Sequence, residues 1–531
     1  MSSIRLPSNS SRTGLHLIVY LLVLCPSDGK KLLVVPMDGS HWLSMRIVVE
    51  EMAQRGHDVV VLVPQASLLI EASSSYKLQH FPVPYSKEDL MGHFNGMTED
   101  ILKKSPFLQK FIDVIMHVRD VTNLLYTTCE SLLLNEKLME SLKKENFDIL
   151  LNDPFTPCGS ILAHYLSVPL IHFMKTIPCG LEYEATQCPS PPSYVPRLLL
   201  GFSDHMTFFQ QVINFLNALI EPLFCKAIYP SFGDLAKKVL QKDISLQEMV
   251  SYASIWLLRY DFVMEHPRPL MPNIVLIGGI NCKKSNHLPL EFMNYINKSG
   301  DHGIVVFSLG SAISELTLEL ATEFADAFGK IPQTVLWRYT GPVPPNLAEN
   351  TKVLKWLPQN DLLAHPKTRA FITHGGSHGI YEAICNGVPM IMVPLFGDQP
   401  GNVQRMERRG AGITLSFHDI TSQKLLDALE AVINTTRYKD RMMELSAVHK
   451  DRPVEPLDLA VHWIEFVMRH KGANHLRPAA HDLNWIQYHS LDVIAFLAAI
   501  ILIVVYIEFK CCLFCCKKLF CKRFQQKSKS E

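Results

Sequence analysis

The sequence predicts an α/β protein with two doubly wound domains that face each other across a cleft, and one membrane-spanning helix near the C-terminus. Short apolar runs alternate with helix-length amphipathic segments, which is typical of parallel sheets covered by helices. A proline-dense stretch at 266–272 divides this alternation into two series. The run at 493–507 (VIAFLAAIILIVVYI) carries no charge and is therefore a candidate membrane span.

Length and charge support two domains and exclude one class of partner. The 531 residues exceed what a single hydrophobic core usually serves, so two domains of ordinary size are expected. The 51 basic and 51 acidic residues leave no excess of positive charge. Because a nucleic-acid-binding surface needs clustered basic residues, no nucleic acid partner is predicted.

The N-terminal residues 1–29 are predicted to be a secretory signal peptide. Arg5 and Arg12 precede an apolar run at 15–25, and Pro-Ser-Asp-Gly follows it. A basic start, a short apolar centre and a small-residue exit are typical of such signals. A buried strand or an uncleaved anchor is the alternative, although the run is short for a membrane span.

The first domain is predicted at 30–272. It begins with a βαβ unit whose strand, helix and second strand are expected at 32–35, about 42–54 and 59–63. A buried strand at 147–151 ends at Asn152-Asp153. The apolar region at 198–232 is interpreted by default as a core helix, while a wall for an apolar ligand and a membrane-contacting surface stay open.

The second domain is predicted at 273–450, followed at 451–490 by a return helix and a juxtamembrane segment. Its strands are expected at 304–308, 335–338, 370–373 and 390–394, with helices between them. In doubly wound folds ligands bind beyond the carboxyl ends of the strands, so the functional site is expected in the cleft.

The membrane span is predicted at 491–509. Trp485 and Tyr488 precede it, where interfacial aromatic residues occur. Basic residues dominate the tail at 510–531, namely Lys510, Lys517, Lys518, Lys522, Arg523, Lys527 and Lys529. The positive-inside rule then predicts a single-pass type I protein with a cytosolic tail and both domains in the lumen.

The last five residues, KSKSE, resemble the dilysine signal that returns membrane proteins to the endoplasmic reticulum. Lys527 and Lys529 lie five and three places from the end. Together with the predicted span and its orientation, this match predicts the endoplasmic reticulum membrane as the location. A solvated basic tail is the alternative.

Seven of the thirteen cysteines belong to the predicted lumenal part. Cys25 lies in the signal, and five more lie beside the membrane, at 511, 512, 515, 516 and 521. An odd lumenal number leaves at least one cysteine free or paired between chains. Asn297 and Asn434 begin glycan acceptor motifs, which a lumenal position makes usable.

The stretch 371–389, FITHGGSHGIYEAICNGVP, predicts a strand, a glycine turn and a helix. Free amides at a helix start attract negative charge, and His374 and Ser377 add donors, so a diphosphate suits this turn. Glycines that serve only packing are the alternative. His374, His378 and Glu382 recur every four residues, but they do not form the H-E-x-x-H motif, so no metal site is predicted.

Flanking polar and aromatic residues favour a nucleotide sugar as the ligand. Trp356 could stack on a base, and Gln359 could pair with the edge of that base. Glu382 could accept hydrogen bonds from ribose hydroxyls, as acidic residues do in dinucleotide folds. Asp398 and Gln399 have the donors and acceptors that bind sugar hydroxyls.

These residues, in this order and spacing, resemble the signature of inverting UDP-sugar-dependent glycosyltransferases. Further motifs resemble the vertebrate UDP-glucuronosyltransferases, bilirubin/phenol-type group, over nearly the whole chain: DGSHWLSM, NDPF, EATQCP, VFSLGS and HDLNWIQYHSLDV. The resemblance implies a GT-B fold of two Rossmann-like domains. It adds to the donor-binding residues the set Ser308, Gly310, Ser311, Arg338, Gly376, His378 and Gly379. One departure is that Pro400-Gly401 precedes Asn402, where the family usually has an aspartate before the asparagine.

The resemblance also assigns the reacting groups. His41 would be the base that takes the acceptor proton, and Asp153 would orient its imidazole. Arg259 could pair with the glucuronate carboxylate, or it could be a structural arginine. The implied reaction converts an α-linked UDP-glucuronate into a β-glucuronide without a tightly bound cofactor, and Mg²⁺ would only assist the departing diphosphate.

The implied acceptors are small lipophilic molecules such as phenols, steroids or bilirubin-like compounds. Self-association or association with related transferases is expected by likeness. Two alternatives stay open: a transferase that uses another UDP-hexose on a lipid or steroid, and a catalytically silent partner of active relatives. Intact His41 and Asp153 count against the silent partner.

Overall fold

The computed structural model describes residues 29–102, 107–197, 200–282, 285–311 and 313–527. All of the predicted signal peptide except Gly29 lies outside these residues, as does Lys529 of the dilysine motif.

The first half of the chain is built on a parallel sheet of seven strands: β1 (Lys31–Val35), β2 (Asp58–Pro64), β3 (Lys77–Phe81), β4 (Ile149–Asn152), β5 (Leu170–Met174), β6 (Ile255–Leu258) and β7 (Ile274–Leu276). Their order across the sheet is β3-β2-β1-β4-β5-β6-β7. We call this sheet and its helices the N-lobe. The helices are α1 (Ser40–Gln54), α2 (Lys87–Leu102), α3 (Phe107–Leu133), α4 (Glu136–Lys144), α5 (Cys158–Leu166), α6 (Leu181–Ala185), α7 (Phe208–Ile228), α8 (Pro230–Leu240) and α9 (Leu246–Val250).

The C-lobe is built on a second parallel sheet of six strands: β8 (Ile304–Ser308), β9 (Thr334–Arg338), β10 (Thr351–Leu354), β11 (Thr368–Thr373), β12 (Met390–Met392) and β13 (Gly412–Thr414). Their order is β10-β9-β8-β11-β12-β13. Its helices are α10 (Leu290–Lys298), α11 (Leu318–Phe328), α12 (Gln359–Leu363), α13 (Ser377–Cys385), α14 (Gln399–Arg408), α15 (Ser422–Asn434) and α16 (Thr436–Lys450).

The two sheets share one topology, and this topology positions the site. In each, the chain builds outward from the first strand in one direction and then continues on the other side of that strand. The strand order therefore reverses between β1 and β4 in the N-lobe, and between β8 and β11 in the C-lobe. Ligands of open α/β sheets bind at such switch points, beyond the carboxyl ends of the strands.

Alternate residues along each strand fill different cores. In β1, Leu33 packs into one core of the N-lobe, and Leu32 and Val34 pack into the other. In β8, Val305 and Phe307 both pack into the core on one face of the second sheet. Strands buried on both faces require continuous apolar sequence, and this explains why the apolar runs could be recognised as strands.

The predicted domain boundary at 272 divides the first sheet. Strand β7 lies beyond this boundary, yet it pairs in parallel with β6 of the N-lobe. The prediction assigned this strand to the second domain because the prolines before it suggested a connector. The prolines form a link within one lobe, and the chain reaches the second sheet only after Leu276.

Helix α7 departs from the default interpretation of a core helix. Nine of its described apolar side chains are exposed, and the exposed fraction of Phe208, Phe209 and Leu223 exceeds 60%. Its opposite side is anchored by Asn214, which is fully buried and donates to the backbone of Pro192 and Val195. The periodicity found a helix here, but only the fold shows that one face lacks a covering element among the described residues.

The chain returns to the N-lobe after α16. Helix α17 (Pro456–His470) packs its buried residues, including Val461 and Ile464, into the same core as Leu32 and Val34. Short 3₁₀ turns also occur at Pro178–Gly180, Phe417–Asp419, Asn474–Leu476 and Ala479–Asp482.

The C-terminal residues from Arg477 form a separate unit. It contains α18 (Trp485–Tyr488) and the 37-residue helix α19 (Leu491–Lys527). The segment Leu491–Leu519 of α19 is long and apolar enough to cross a membrane. The predicted span at 491–509 lies inside it, but the helix continues through the basic segment that was assigned to the tail.

Candidate active site

The switch point of the N-lobe holds the predicted catalytic pair. His41 Nδ1 lies 2.6 Å from Asp153 Oδ2. Asp153 follows β4 and its side chain is 2% exposed, whereas the His41 side chain is 24% exposed. The other carboxylate oxygen of Asp153 accepts a 3.0 Å hydrogen bond from the amide of Phe155. A buried carboxylate therefore orients an imidazole that stays partly accessible.

His41 lies in the first turn of α1, not in the loop that the sequence predicted. The helix begins at Ser40, after Gly39 with a φ of 80°. A positive φ is accessible to glycine, so the chain can leave β1 and start the helix within a few residues. This abrupt start fixes the backbone of His41, which a loop would leave freer.

The switch point of the C-lobe holds His374, the residue after β11. A Cβ atom at Gly310 would lie 2.6 Å from His374 Cε1, and one at Gly376 would lie 2.5 Å from Nε2. The two glycines therefore make room for the ring. Burial lowers the pKa of His374 to about 4, although the charge of Asp398 acts in the opposite direction. The imidazole is neutral near pH 7 and can donate one hydrogen bond.

The loop after β8 is braced by Arg338. The guanidinium donates to the carbonyl of Gly310 and, over 3.2 Å, to that of Ser311. Ser308 Oγ accepts a 3.3 Å hydrogen bond from the amide of Gly310. Burial lowers the pKa of Arg338. Arg338 thus stabilises the conformation of this loop. Direct contact between Arg338 and a diphosphate stays a prediction.

Helix α13 starts at Ser377, directly after the His374 turn. The first amides of a helix have no partner within the helix and attract an anion. Gly379 lies against the strand, because a Cβ there would be 3.3 Å from the ring of Phe371. Gly379 therefore serves helix–sheet packing, and its predicted ligand contact rests on its backbone alone.

Gln359, His378 and Glu382 form one hydrogen-bonded group. Gln359 Nε2 donates to Glu382 Oε2 over 2.6 Å, and His378 Nε2 lies 3.2 Å from Glu382 Oε1. A carboxylate has about four acceptor positions, so Glu382 keeps capacity for ribose hydroxyls. Trp356 is 55% exposed, with its ring 5.2 Å from the guanidinium carbon of Arg338, and is free to stack on a base.

Asp398 is the sugar-site carboxylate that the sequence predicted, and its side chain is 30% exposed. Its Oδ2 atom lies 3.0 Å from Lys175 Nζ and accepts a 2.8 Å hydrogen bond from Asn402. Burial acts to raise the pKa of Asp398, but the charge of Lys175, hydrogen bonds from Asn402 and Lys175, and the charge of Arg405 hold it well below its usual range. Asp398 is therefore ionised.

The start of α14 tolerates the unusual Pro400-Gly401 sequence. Proline is favoured in the first turn of a helix, and Pro400 lies there. Gln399 Oε1 accepts hydrogen bonds of 2.9 and 3.1 Å from the amides of Leu395 and Phe396. Gln399 thus closes the loop before the helix, and only its amide nitrogen is left to bind a sugar.

Ser44 joins the two switch points, and the sequence did not point to it. Its Oγ lies 3.1 Å from His378 Nδ1 of the C-lobe and accepts a 2.8 Å hydrogen bond from Arg259. Burial lowers the pKa of Arg259, while the charges of Asp153 and Asp398 raise it. Since Ser44 lies one helical turn after His41, this contact brings the N-terminal part of α1 close to the start of α13.

Lys175 is the second residue that the sequence did not single out. A signal was present, because a charged residue directly follows a strand that is buried along its whole length. Ser44 offered no comparable signal: a serine in a helix becomes informative only when the opposing lobe is known.

Two disulfides and one further cluster lie outside the site. Cys129 pairs with Cys158, and Cys282 pairs with Cys385, which leaves Cys179, Cys188 and Cys225 free. The expectation that at least one of the seven cysteines before the span is unpaired within the chain is confirmed. Within the described residues, Cys282, Cys385 and His449 are close enough to hold a metal ion, but the disulfide occupies both sulfurs.

Comparison with solved structures supports the fold. The chain resembles the spinosyn forosaminyltransferase SpnP with a TM-score of 0.56 and 14% identity, over 82% of this chain and 99% of that protein. It resembles the calicheamicin glycosyltransferase CalG4 with a TM-score of 0.54 and 17% identity, over 83% and 99%. The predicted GT-B arrangement of two Rossmann-like halves is confirmed.

Comparison with known sequences covers nearly the whole chain. The model of the family described as "UDP-glucoronosyl and UDP-glucosyl transferase" matches residues 30–526. UDP-glucuronosyltransferase 1A1 of Mus musculus is 55% identical over 95% of this chain and 96% of its own length. The Homo sapiens protein of the same name is 54% identical over 97% of both. The chain belongs to the UDP-glucuronosyl and UDP-glucosyl transferase family.

Proposed function

We propose that this protein transfers glucuronic acid from UDP-glucuronate to a hydroxyl of small lipophilic acceptors, with inversion at the anomeric carbon. Family membership supports a UDP-sugar donor. The relatives that are 54–55% identical carry the name UDP-glucuronosyltransferase, which favours glucuronate over glucose.

One observation carries the mechanism: Ser44 of the N-lobe lies 3.1 Å from His378 at the start of α13. This contact supports a reaction in which the proposed base and the proposed diphosphate-binding helix face the same cleft. A reaction between an acceptor held by one lobe and a donor held by the other needs this arrangement.

His41 acts as the general base in the proposed reaction. Its Nδ1 is held by Asp153, so Nε2 is the nitrogen that takes the proton of the acceptor hydroxyl. The acceptor oxygen attacks the anomeric carbon, the bond from that carbon to the diphosphate oxygen breaks, and UDP leaves. Asp153 stabilises the imidazolium that forms. A single displacement turns an α-linked donor into a β-glucuronide.

The donor is proposed to lie along the C-lobe switch point. The base stacks on Trp356, Glu382 accepts from the ribose, and the diphosphate faces His374 and the amides of α13. A neutral His374 donates to the developing charge without adding a second titrating group near pH 7. Asp398 accepts from the sugar hydroxyls.

Arg259 is proposed to pair with the carboxylate of glucuronate. It lies within the field of both Asp153 and Asp398. No resident cofactor is part of the scheme, and Mg²⁺ would supply charge to the departing diphosphate.

We also propose that the chain is a single-pass protein of the endoplasmic reticulum membrane, with both lobes in the lumen. The apolar helix α19 and the basic residues that follow its span support this orientation. The two glycan acceptors, Asn297 and Asn434, are exposed, as a lumenal surface requires. Phenols, steroids and bilirubin-like molecules are the acceptor class, and association with related transferases is part of the same proposal.

A donor panel tests the proposal. Membranes that contain this chain alone are given a phenol with UDP-glucuronate, UDP-glucose or UDP-N-acetylglucosamine, and the product's anomeric configuration is read by NMR. We expect turnover with UDP-glucuronate and a β-linked product. Preference for another donor would favour the second transferase hypothesis, and no turnover with any donor would favour a silent partner.

A further inference from the structure

A buried ionic group connects the two lobes beside the donor sugar site. It consists of Lys175, Glu265, Asp398, Asn402 and Arg405, and we call it the bridge cluster. Lys175 follows β5 of the N-lobe, and Glu265 lies between β6 and β7 of the same lobe. In the C-lobe, Asp398 precedes α14, Asn402 lies in its first half and Arg405 in its last turn. The side chains of Lys175 and Glu265 are only 6% and 7% exposed.

Lys175 is the centre of the bridge cluster. Its Nζ atom lies 2.5 Å from Asn402 Oδ1, 3.0 Å from Asp398 Oδ2 and 3.5 Å from Glu265 Oε1. An ammonium group has three protons to donate, and three acceptors surround it. Arg405 completes the cluster, since its Nε atom lies 3.2 Å from Glu265 Oε2.

Stability alone is a poor explanation for this arrangement. Burying an ammonium and two carboxylates costs free energy that their mutual attraction only roughly repays. Lys175 and Glu265 are nearly inaccessible, whereas Asp398, the predicted sugar ligand, is 30% exposed. The cluster therefore leaves the Asp398 carboxylate partly exposed, while the buried Lys175 contacts it.

We propose that Lys175 is a positioning residue for donor recognition: from the N-lobe it keeps Asp398 of the C-lobe ionised and oriented to accept hydrogen bonds from the donor sugar. This inference rests on the proposed function, because it assumes that Asp398 binds the sugar. It goes further by making recognition of the sugar depend on contact between the lobes.

The consequence is a separation between binding of the nucleotide and binding of the sugar. Trp356, Glu382 and His374 lie on the C-lobe and make no contact with Lys175 among the interactions of the described residues. Loss of Lys175 should therefore weaken UDP-glucuronate, which carries the sugar, and leave UDP itself nearly unaffected.

The test compares the wild type with Lys175→Met, Lys175→Arg and the control Lys237→Met, whose side chain is 62% exposed. For Lys175→Met we expect the KM for UDP-glucuronate to rise at least about tenfold, since a hydrogen bond to a charged group is lost. The inhibition constant of UDP should change less than about threefold. Lys175→Arg should recover part of the loss, and the control should match the wild type.

The pH profile provides a reading that a merely structural residue would not change. The charged or titratable groups that act on Asp398 are Lys175, Arg405, Glu265, Arg259 and His374. Removing the charge of Lys175 raises the pKa of Asp398, so the KM for UDP-glucuronate should begin to rise on acidification at a higher pH in Lys175→Met than in the wild type. Equal losses for UDP and UDP-glucuronate, with an unchanged pH dependence of the KM for UDP-glucuronate, would overturn the proposal.

If Lys175→Met does not accumulate, the charge-balanced variant Lys175→Met/Glu265→Gln replaces it. The deciding quantity is again the change in the KM for UDP-glucuronate relative to the change in the inhibition constant of UDP. The donor is whichever one the wild type uses in the panel above. Failure of the wild type to use UDP-glucuronate therefore counts against the proposed function, whereas an unchanged ratio in the variants counts against the role of Lys175.

Discussion

The two histidines at the two switch points differ in how the fold treats them. His41 of the N-lobe has a carboxylate partner at 2.6 Å and a side chain that is 24% exposed. His374 of the C-lobe lies between two glycines, and its buried Nδ1 atom has no hydrogen-bond partner among the described residues. One imidazole is equipped to exchange a proton, and the other is kept neutral.

This difference shows that the strand order determines where each histidine lies, whereas its neighbouring residues determine its proton chemistry. Both residues follow a strand next to a reversal of strand order. His41 has a buried carboxylate as its hydrogen-bond partner, whereas burial lowers the pKa of His374 to about 4. The switch points of two similar sheets can thus supply a base in one lobe and a neutral donor in the other.

Replacing His41 should have the largest effect. For His41→Ala we expect kcat to fall by roughly 10³-fold or more, because no other group in the pair can take the acceptor proton. UDP should still bind with its normal inhibition constant, since the C-lobe is unchanged. Steady-state kinetics with a phenol, and competition by UDP, measure both quantities.

The matched control is His302→Ala, at an exposed histidine of the C-lobe. It should retain normal turnover. Near-normal turnover of His41→Ala itself would show that His41 is not the base, and the proposed difference in role between His41 and His374 would be lost.

Asp153→Asn should cost somewhat less, about 10²- to 10⁴-fold in kcat. The asparagine can still accept the 3.0 Å hydrogen bond from Phe155, so the fold is kept. Its amide can donate to His41 Nδ1, so the ring carries its proton on Nε2. That nitrogen then cannot take the proton of the acceptor hydroxyl. The KM for UDP-glucuronate should stay within about threefold. An unchanged kcat would show that the tautomer of His41 is not set by Asp153.

Much of this site could be predicted because the decisive features are local. Strand β8 was predicted at its observed limits, and the glycine turn before α13 is visible in the sequence. The links that span the lobes are different in kind. Ser44 and His378 are 334 residues apart, and Lys175 and Asn402 are 227 apart. Patterns of period 2 or 3.6 contain no information about such contacts.

The membership of β7 in the first sheet has a similar cause. Three residues after a proline-dense segment carry too little pattern to indicate which sheet they join. Likewise, the apolar composition of α7 could not reveal that one of its faces would stay exposed, because exposure depends on what the rest of the fold places beside it.

Gly376→Ala is expected to act on the C-lobe histidine alone. The new Cβ would lie 2.5 Å from His374 Nε2, so the ring must move. The backbone of Gly376 has a φ of −63°, which alanine adopts without strain, so the effect isolates the contact with the ring. We expect the KM for UDP-glucuronate to rise about tenfold and stability to fall by about 1–3 kcal/mol, with a smaller change in kcat.

Gly233→Ala is the matched control, because no heavy atom lies within 4 Å of the new Cβ. In helix α8 this change should stabilise the protein by about 0.5–1 kcal/mol. If Gly376→Ala behaves like the control in both kinetics and thermal unfolding, the space around His374 is not tightly set.

The smallest expected effect is a pH dependence of stability that His374 contributes. Its pKa is about 4 in the folded protein, compared with 6.5 as the ordinary value, so the unfolded chain binds the proton more tightly. Stability should therefore be lost as the pH falls from about 6.5 toward 4, by up to about 3 kcal/mol from this residue. Thermal unfolding across this range, compared between the wild type and His374→Gln, measures the contribution, and the variant should show a shallower decline. Equal slopes for the two proteins would mean that the fold does not disfavour the charged form of His374, and the contrast between the two lobes would then lie only in position.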